Sequence, residues 1–262
     1  MSEFVRQRLE AEGIKVITEI EIDGAEEKEG RIHLHAPGKN ITGAALLVAA
    51  GRQPNVENLN LQAAGVQFTK KGITVDEHLE TTRAGIYAVG DIVGALQFTH
   101  VADYHARVAI RNTLVPFGFL RQTVDYRVVP WCTYLDPEVA TVGLTETAAK
   151  EQGVEYDLIL QEMKEVDRAV LERAETGCAR VLVGRGSDEV LGATIIGAHA
   201  GELIQEFVFA MQNRIGLKKI AATIYAYPTF ASLVLKTAEK LNKKRLTPRA
   251  KKITSWLYRR QR

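Results

Sequence analysis

Cysteine is nearly absent. The 262 residues hold two, Cys132 and Cys178, far apart and in neither a CxxC nor a metal-ligand spacing. That argues against a disulfide framework and a cysteine-based metal site, and a reduced, cytoplasmic setting is the simplest expectation. Long apolar runs are missing too: none approaches the roughly 20 residues that a membrane-spanning helix needs. The opening "MSEFVRQRLEAEG" is charged and helical in pattern, unlike a secretory signal. None of the 21 glycines falls into GxGxxG, the loop that receives a dinucleotide's pyrophosphate at a helix N-terminus. No CxxxxC pair, internal repeat or low-complexity segment occurs. The six histidines form no metal-ligand spacing; His33 and His35 share one face of an alternating stretch, either as a metal pair or as exposed polar strand residues, which are far commoner. No metal site is expected.

What is present is ordinary for a globular chain: 46% hydrophobic and 25% charged residues, in a length that suits one large or two modest domains. The net charge of +2 hides an asymmetry. From Lys236 onward there are 11 Lys or Arg and one acid, Glu239, which leaves 23 basic and 31 acidic residues in the body. Residues 236–262 are either a solvated extension or an electrostatic contact with a membrane surface, nucleic acid or an acidic partner. Within them "ITSWLYRR" sets Ile253, Trp256 and Leu257 at helical spacing beside basic residues, a pattern that can lie on an anionic membrane.

"SEFVRQRLEAEG" predicts a helix capped by Ser2 and ended by Gly13. "KVITEIEIDG" and "RIHLHA" alternate and predict strands of an antiparallel meander, with a turn at Asp23-Gly24. "GAALLVAAG", residues 43–51, is apolar on both faces and predicts a strand buried between two layers, as in parallel sheets. "GITVDEHLETTRAGIYAVGD" predicts two more short strands. From about Thr99 to Leu114 the pattern turns helical, with Val101, His105, Val108 and Asn112 at helical spacing and Ala102 and Ala109 beside them. "VPFGF" marks a boundary. Beyond it come two strands joined across Asp136-Pro137 and a hairpin turning at Gly184 to Asp188. A helix over 202–213 follows, then another from after Pro228-Thr229 to about Lys243. Strands followed by helices predict an α+β second domain.

"GIYAVGDIVG" is the stretch with chemistry to offer. A strand that ends on Gly90-Asp91 at the C-terminal edge of a parallel sheet points into the crevice where open α/β folds bind ligands. Gly90 removes a side chain and lets a ligand approach the backbone. Asp91 offers an anionic acceptor for hydroxyl groups. The helix beginning near Thr99 can aim its first N–H groups at an electron-rich ligand edge. By itself the same dipeptide is equally a turn, which both residues favour.

In context these residues resemble a family. "TTRAGIYAVGD", with Thr81 or Thr82 leading, looks like the second FAD fingerprint of the two-dinucleotide-binding flavoprotein disulfide reductases. That family includes dihydrolipoamide dehydrogenase, glutathione reductase and mercuric reductase. "LLVAAGRQPN", "FTHVADYHA", "DPEVATVGLTE" and "IIGAHAGELIQE" resemble its other segments in the right order. The resemblance implies an α/β fold: part of a two-dinucleotide-binding flavoprotein, followed by an α+β dimerisation domain. Residues 1–45 would be a remnant of the NAD(P)-binding domain, 46–118 the C-terminal part of the FAD-binding domain, and 119–262 the dimerisation domain. It further implies that Asp91 binds the ribityl hydroxyls of FAD with Gly90 allowing close approach. Thr99, His100, Val101 and Ala102 would present backbone N–H groups to the flavin's pyrimidine side. Residues 120–245 would form an apolar homodimer interface, and "ATIIGAHAGELI" leaves Ile195, Ile196, Leu203 and Ile204 needing cover of that kind.

The departures bear on activity. Both GxGxxG loops of the family and its redox-active CxxxxC are absent. The family's His-Pro-Thr-x-x-Glu acid/base dyad reads "YAYPTFAS" here, which puts Tyr227 in the histidine place and Ser232 in the glutamate place. A tyrosine with a pKa near 10 is a poor base at neutral pH. Mercuric reductases also carry Tyr there, yet their terminal cysteine pair is missing from "SWLYRRQR". Tyr227 is thus either a remnant of the catalytic position or a packed aromatic before a helix. The expectation is the C-terminal portion of an FAD- and NAD(P)H-dependent oxidoreductase, without turnover alone and with weak or no FAD binding. The alternatives are one chain of a split enzyme, whose partner supplies the N-terminal FAD/NAD half, and a non-catalytic dimerisation module docking through its basic tail.

Overall fold

A computed structural model describes residues 2–94, 96–115 and 117–245; the segment "ITSWLYRR" and the rest of the tail past 245 lie outside them. The chain divides into two compact units, Met1–Gln53 and Pro54–Arg262.

In the first unit, helix α1 spans Ser2–Ala11 and ends where Gly13 turns left-handed at φ +85°. Strands β1 (Gly24–Lys28), β2 (Arg31–Ala36) and β3 (Lys39–Gly43) form an antiparallel meander in that order. The meander is as expected, but its first strand is displaced. "KVITEIEID" is not a strand, and pairing starts at Gly24 opposite His35. The turn falls at Glu29-Gly30, where both residues have positive φ, rather than at Asp23-Gly24. Alternation is necessary for a half-buried strand, but a ladder also needs a neighbour in register, and β2 pairs with the polar residues after Asp23. Of the two histidines on β2, His33 meets Thr42 and His35 meets Asn40 and Glu26. Segment 44–51 also departs from expectation: it is not a strand, Leu47 is 88% exposed and Val48 75%. Such a segment is buried only with strands on both edges and layers on both faces, and among the described residues nothing pairs with it.

The second unit opens with a two-stranded ribbon, β4 (Phe68–Thr69) and β5 (Gly72–Ile73), then a 3-10 turn at Gly90–Val93 and helix α2 (Thr99–Leu114). "GIYAVGD" does not become a full strand. It is held by a bridge from Tyr87 to Glu80 and by amide bonds from Ala88 to Leu79 and from Thr81 to Ile86. All ladders among the described residues are antiparallel, so the turn does not end a parallel sheet. Two small apolar clusters flank it: Val56, Val66, Ile73 and Ala88, and Leu79, Val108 and Ala109.

The larger body is a five-stranded sheet. Its strands are β6 (Pro130–Thr133), β7 (Glu138–Gly143), β8 (Tyr156–Glu162), β9 (Cys178–Gly184) and β10 (Val190–Gly197), ordered β6-β7-β10-β9-β8. Helices α3 (Glu146–Glu151) and α4 (Asp167–Leu171) connect strands, and α5 (Ala200–Gln212), α6 (Leu217–Ala221) and α7 (Ser232–Lys244) follow them. Helix α5 packs on β6, β7 and β10, and α7 on β8 and β9. The stripe Leu203, Ile204, Phe207 and Ala210 of α5, Ala193 and Ile195 of β10 and the Leu233, Val234, Ala238 and Leu241 face of α7 share one buried core. This corrects one expectation. Ile195, Leu203 and Ile204 lie in the chain's own core and Ile196 is only 3% exposed, so none of them waits for a second copy. An α+β layer already covers the sheet face that carries Ile195. No helix among the described residues is long and apolar enough to cross a membrane.

Candidate functional site

The site grows from the segment 79–94. Thr81, 92% buried by its 8% exposure, accepts from the Arg83 amide and donates from its hydroxyl to the Arg83 carbonyl. Thr82 accepts from the Gln67 amide at 2.9 Å. Glu80 accepts from the Gly85 amide at 2.7 Å and pairs with Arg121 at 2.6 Å, and these two, in that order, hold its carboxyl below the ordinary range. The chain entering "GIYAVGD" is therefore fixed from three sides.

Val89 is extended, and Gly90 then takes φ +75° and starts the 3-10 turn that carries Asp91. Gly94 closes it at φ +84°, donating its amide to the Asp91 carbonyl at 3.1 Å. Asp91 is half-buried. The space a Cβ on Gly90 would enter lies 3.0 Å from Ala102 Cβ, so this glycine lets helix α2 approach the turn. The amide of Gly90 donates to Nδ1 of His105 at 3.1 Å. That nitrogen must be unprotonated, which places the imidazole proton on Nε2, 2.6 Å from the Tyr126 hydroxyl.

Helix α2 is bolted to the chain after it. Asn112, 1% exposed, gives its amide nitrogen to the carbonyls of His78 and Gln122 and accepts from the Gln122 amide. The Tyr104 hydroxyl accepts from the Asp125 amide at 2.9 Å. At the helix start, the amides of Val101 and Ala102 are spent on the Phe98 carbonyl. The groups that remain for a ligand in that first turn are the amides of Thr99 and His100, both exposed residues. The His100 ring stacks on Phe98 at 5.1 Å and Nε2 lies 2.9 Å from the Pro130 carbonyl, so its side chain ties α2 to β6.

Gly90, Asp91 and Ala102 thus come together, with Thr99 and His100 at the head of the same helix. Tyr227 belongs to another neighbourhood. It precedes the cis Tyr227-Pro228 bond, is 75% exposed and stands beside Asp167, whose charge and hydrogen bond push its hydroxyl above the usual tyrosine value. It is not a packed aromatic, and it is a still poorer base than a free tyrosine. Both cysteines are half-buried, and burial pushes their thiols up. Sequence reasoning set His105 and Asn112 at helical spacing on α2 but found none of their partners, and Tyr126 carried no signal at all.

Burial pushes the His105 imidazole below its ordinary value of 6.5. The unfolded chain then binds more protons than the fold as the pH drops below about 6.5, and stability falls. We expect the wild type to lose urea resistance between about pH 7.5 and about pH 5.5 relative to His105→Asn, which has nothing to titrate there. A constant difference over that range would mean the imidazole charges freely. Glu80 does not interfere: with its pKa lowered, its contribution is intact above the ordinary value of 4.5 and lost only at lower pH.

Comparison with known proteins adds family context. The family model described as pyridine nucleotide-disulphide oxidoreductase matches residues 1–106. The one described as pyridine nucleotide-disulphide oxidoreductase, dimerisation domain, matches residues 129–238. The chain is 35% identical over 239 residues to a mercuric reductase of Bacillus cereus, covering 88% of this chain and 37% of that protein. It is 34% identical over 227 residues to a dihydrolipoyl dehydrogenase of Chlamydia muridarum, covering 86% and 48%. Among solved structures, LpdA of Mycobacterium tuberculosis superposes with a TM-score of 0.84 at 24% identity, over 91% of this chain and 52% of that one. The chain spans about half or less of the length of these relatives.

Proposed function

Because the chain belongs to the pyridine nucleotide-disulphide oxidoreductase family, as a mercuric reductase or dihydrolipoamide dehydrogenase-type flavoprotein region with its dimerisation domain, we propose that it contributes flavin binding and homodimerisation to an FAD- and NAD(P)H-dependent oxidoreductase. The supporting observation is the Gly90–Val93 turn packed on the start of α2, with a half-buried Asp91 and the first helical amides at one place. These residues fit one part of the cofactor. Asp91 accepts from sugar-alcohol hydroxyls, and the Thr99 and His100 amides donate to the electron-rich edge of the ring. The chain has no GxGxxG to hold a pyrophosphate. A bound flavin would relay electrons between a nicotinamide and a disulfide-type or metal acceptor; this chain's residues orient its arm and ring edge.

That division makes a prediction with a built-in control. FAD, FMN and riboflavin share the ribityl arm and ring but differ in phosphates. Titration of flavin fluorescence should give weak, saturable binding, with the three affinities within about threefold of one another, because nothing here grips the phosphates. Asp91→Ala should weaken each by about 10- to 100-fold, the worth of a charged hydrogen bond. FAD binding 100-fold tighter than riboflavin would mean a phosphate site is present, and no saturable binding of any of them would remove the flavin role from this chain.

The homodimer is assigned to the exposed apolar face of the second unit. Phe209, 65% exposed, lines an open cavity of about 510 Å³ together with Ala210, Ile215 and Ile220, and Ile224, 97% exposed, lies in sequence between two further lining residues, Thr223 and Tyr225. Tyr225 gives it one polar anchor, donating to the Glu206 carboxylate at 2.5 Å.

A second reading, one chain of a split enzyme, is favoured by the bare apolar segment 44–51 with Leu47 and Val48 exposed. A partner chain carrying GxGxxG and CxxxxC would cover it. Co-purification from the native cell tests this, and recovery of nothing but this chain would end it.

A further inference from the structure

His105 is the deepest polar group near the turn, 1% exposed, and neither the flavin contacts nor the dimer face uses it. Its ring bridges two elements. Nδ1 receives the Gly90 amide at 3.1 Å from the first residue of the 3-10 turn, and Nε2 faces the Tyr126 hydroxyl at 2.6 Å, with the rings edge-on at 5.6 Å. Gly90 is held from a second direction by Ala102, one turn before His105 on the same helix. The residue that follows Gly90 is Asp91, so whatever sets the Gly90 peptide sets where the carboxylate leaves the turn.

We propose that His105 is the positioning residue of this site: its neutral imidazole, kept in a single tautomer by Tyr126, fixes the Gly90 amide and so aims Asp91 at a hydroxyl-bearing ligand. Tautomer selection is the essential step. An imidazole donor at Nδ1 would face the Gly90 N–H donor and push the turn away. The Tyr126 oxygen, by accepting from Nε2, gives the proton a reason to stay on the far side of the ring. The ligand half of the proposal rests on the flavin reading above; the latch does not.

The experiment separates the two. Amide exchange at Gly90 reads the latch without any ligand, and riboflavin titration reads the aim of Asp91. His105→Leu removes the acceptor and should speed Gly90 exchange at least about 10-fold. His105→Asn puts a carbonyl oxygen where Nδ1 was and should restore protection to within about threefold of wild type. Tyr126→Phe frees the tautomer and should loosen Gly90 in the His105 protein but leave the His105→Asn protein unchanged, a non-additivity that a merely structural tyrosine lacks. If His105→Leu does not fold, that double cycle still decides. Riboflavin affinity should follow Gly90 protection across the set. Equal Gly90 exchange in wild type, Tyr126→Phe and the asparagine variants overturns the latch. Unchanged riboflavin affinity where Gly90 has loosened overturns the positioning role. A wild type with a protected Gly90 and no riboflavin binding overturns the flavin reading and leaves the latch standing.

Discussion

Alanine at position 94 is expected to lower stability by about 3 kcal/mol or more and to dismantle the turn that carries Asp91. Two costs meet there. Gly94 sits at φ +84°, where an L-residue is strained by about 1–2 kcal/mol. Its Cβ would also fall 1.7 Å from the Lys71 carbonyl oxygen, backbone that belongs to the β4–β5 ribbon. Neither partner is a flexible side-chain end, so the ribbon and the turn must separate. Gly85 makes the matching control, because it has a similar φ of +81° with nothing within 4 Å of its would-be Cβ. Gly85→Ala should cost only the same backbone strain, about 1–2 kcal/mol. Urea midpoints at constant slope give both numbers. Equal losses at the two positions would show that the close approach of the ribbon is not maintained in solution.

The second large effect concerns assembly. Aspartate at both Phe209 and Ile224 should convert the dimer to monomer, with a rise in Kd of about 1,000-fold or more if each is worth about 2–4 kcal/mol. Both side chains are exposed, Phe209 in the lining of the apolar cavity and Ile224 between its lining residues Thr223 and Tyr225 in sequence, and a carboxylate in either place must be desolvated if this face is the contact. The fold itself should survive, since neither belongs to the buried stripe of α5 or the core. Changes at Ile195 or Leu203 should do the reverse and unfold the protein before any assembly can be measured, because both lie inside that core. Sedimentation of the double variant against wild type is decisive. A dimer of undiminished affinity would place the contact on another face.

Elements ruled by neighbours in sequence were legible in advance. Helix α2 spans Thr99–Leu114 with Val101, His105, Val108 and Asn112 buried, because a 3.6-residue period is a property of consecutive residues. The β9–β10 hairpin closes at Gly184, where the Ser187 amide meets its carbonyl, because turn chemistry is equally local. Strand β8 and helix α6 went unread: β8 has seven residues but no clean alternation, and α6 has only five, too few to show a helical period. The spacing and identity of "TTRAGIYAVGD" and four companion segments carried the family, and the missing GxGxxG and CxxxxC carried the limits on its chemistry.

Only the tertiary structure decided which surface each apolar face meets. "KVITEIEID" alternates as well as "RIHLHA" does, but a strand needs a partner in register, and β2 took a different one. Ile195 and Leu203 could serve a core or an interface equally, until α5 and α7 closed over the sheet. Gly90 looks like room for a ligand and is room for Ala102; His105 looks like one more buried helix position and is the acceptor for that glycine's amide. Local pattern sets what a segment can become, since propensity and period act within a few residues. Which of the possible partners it receives depends on contacts between distant residues, whose favourable energy and loop-closure cost are set by the whole chain at once.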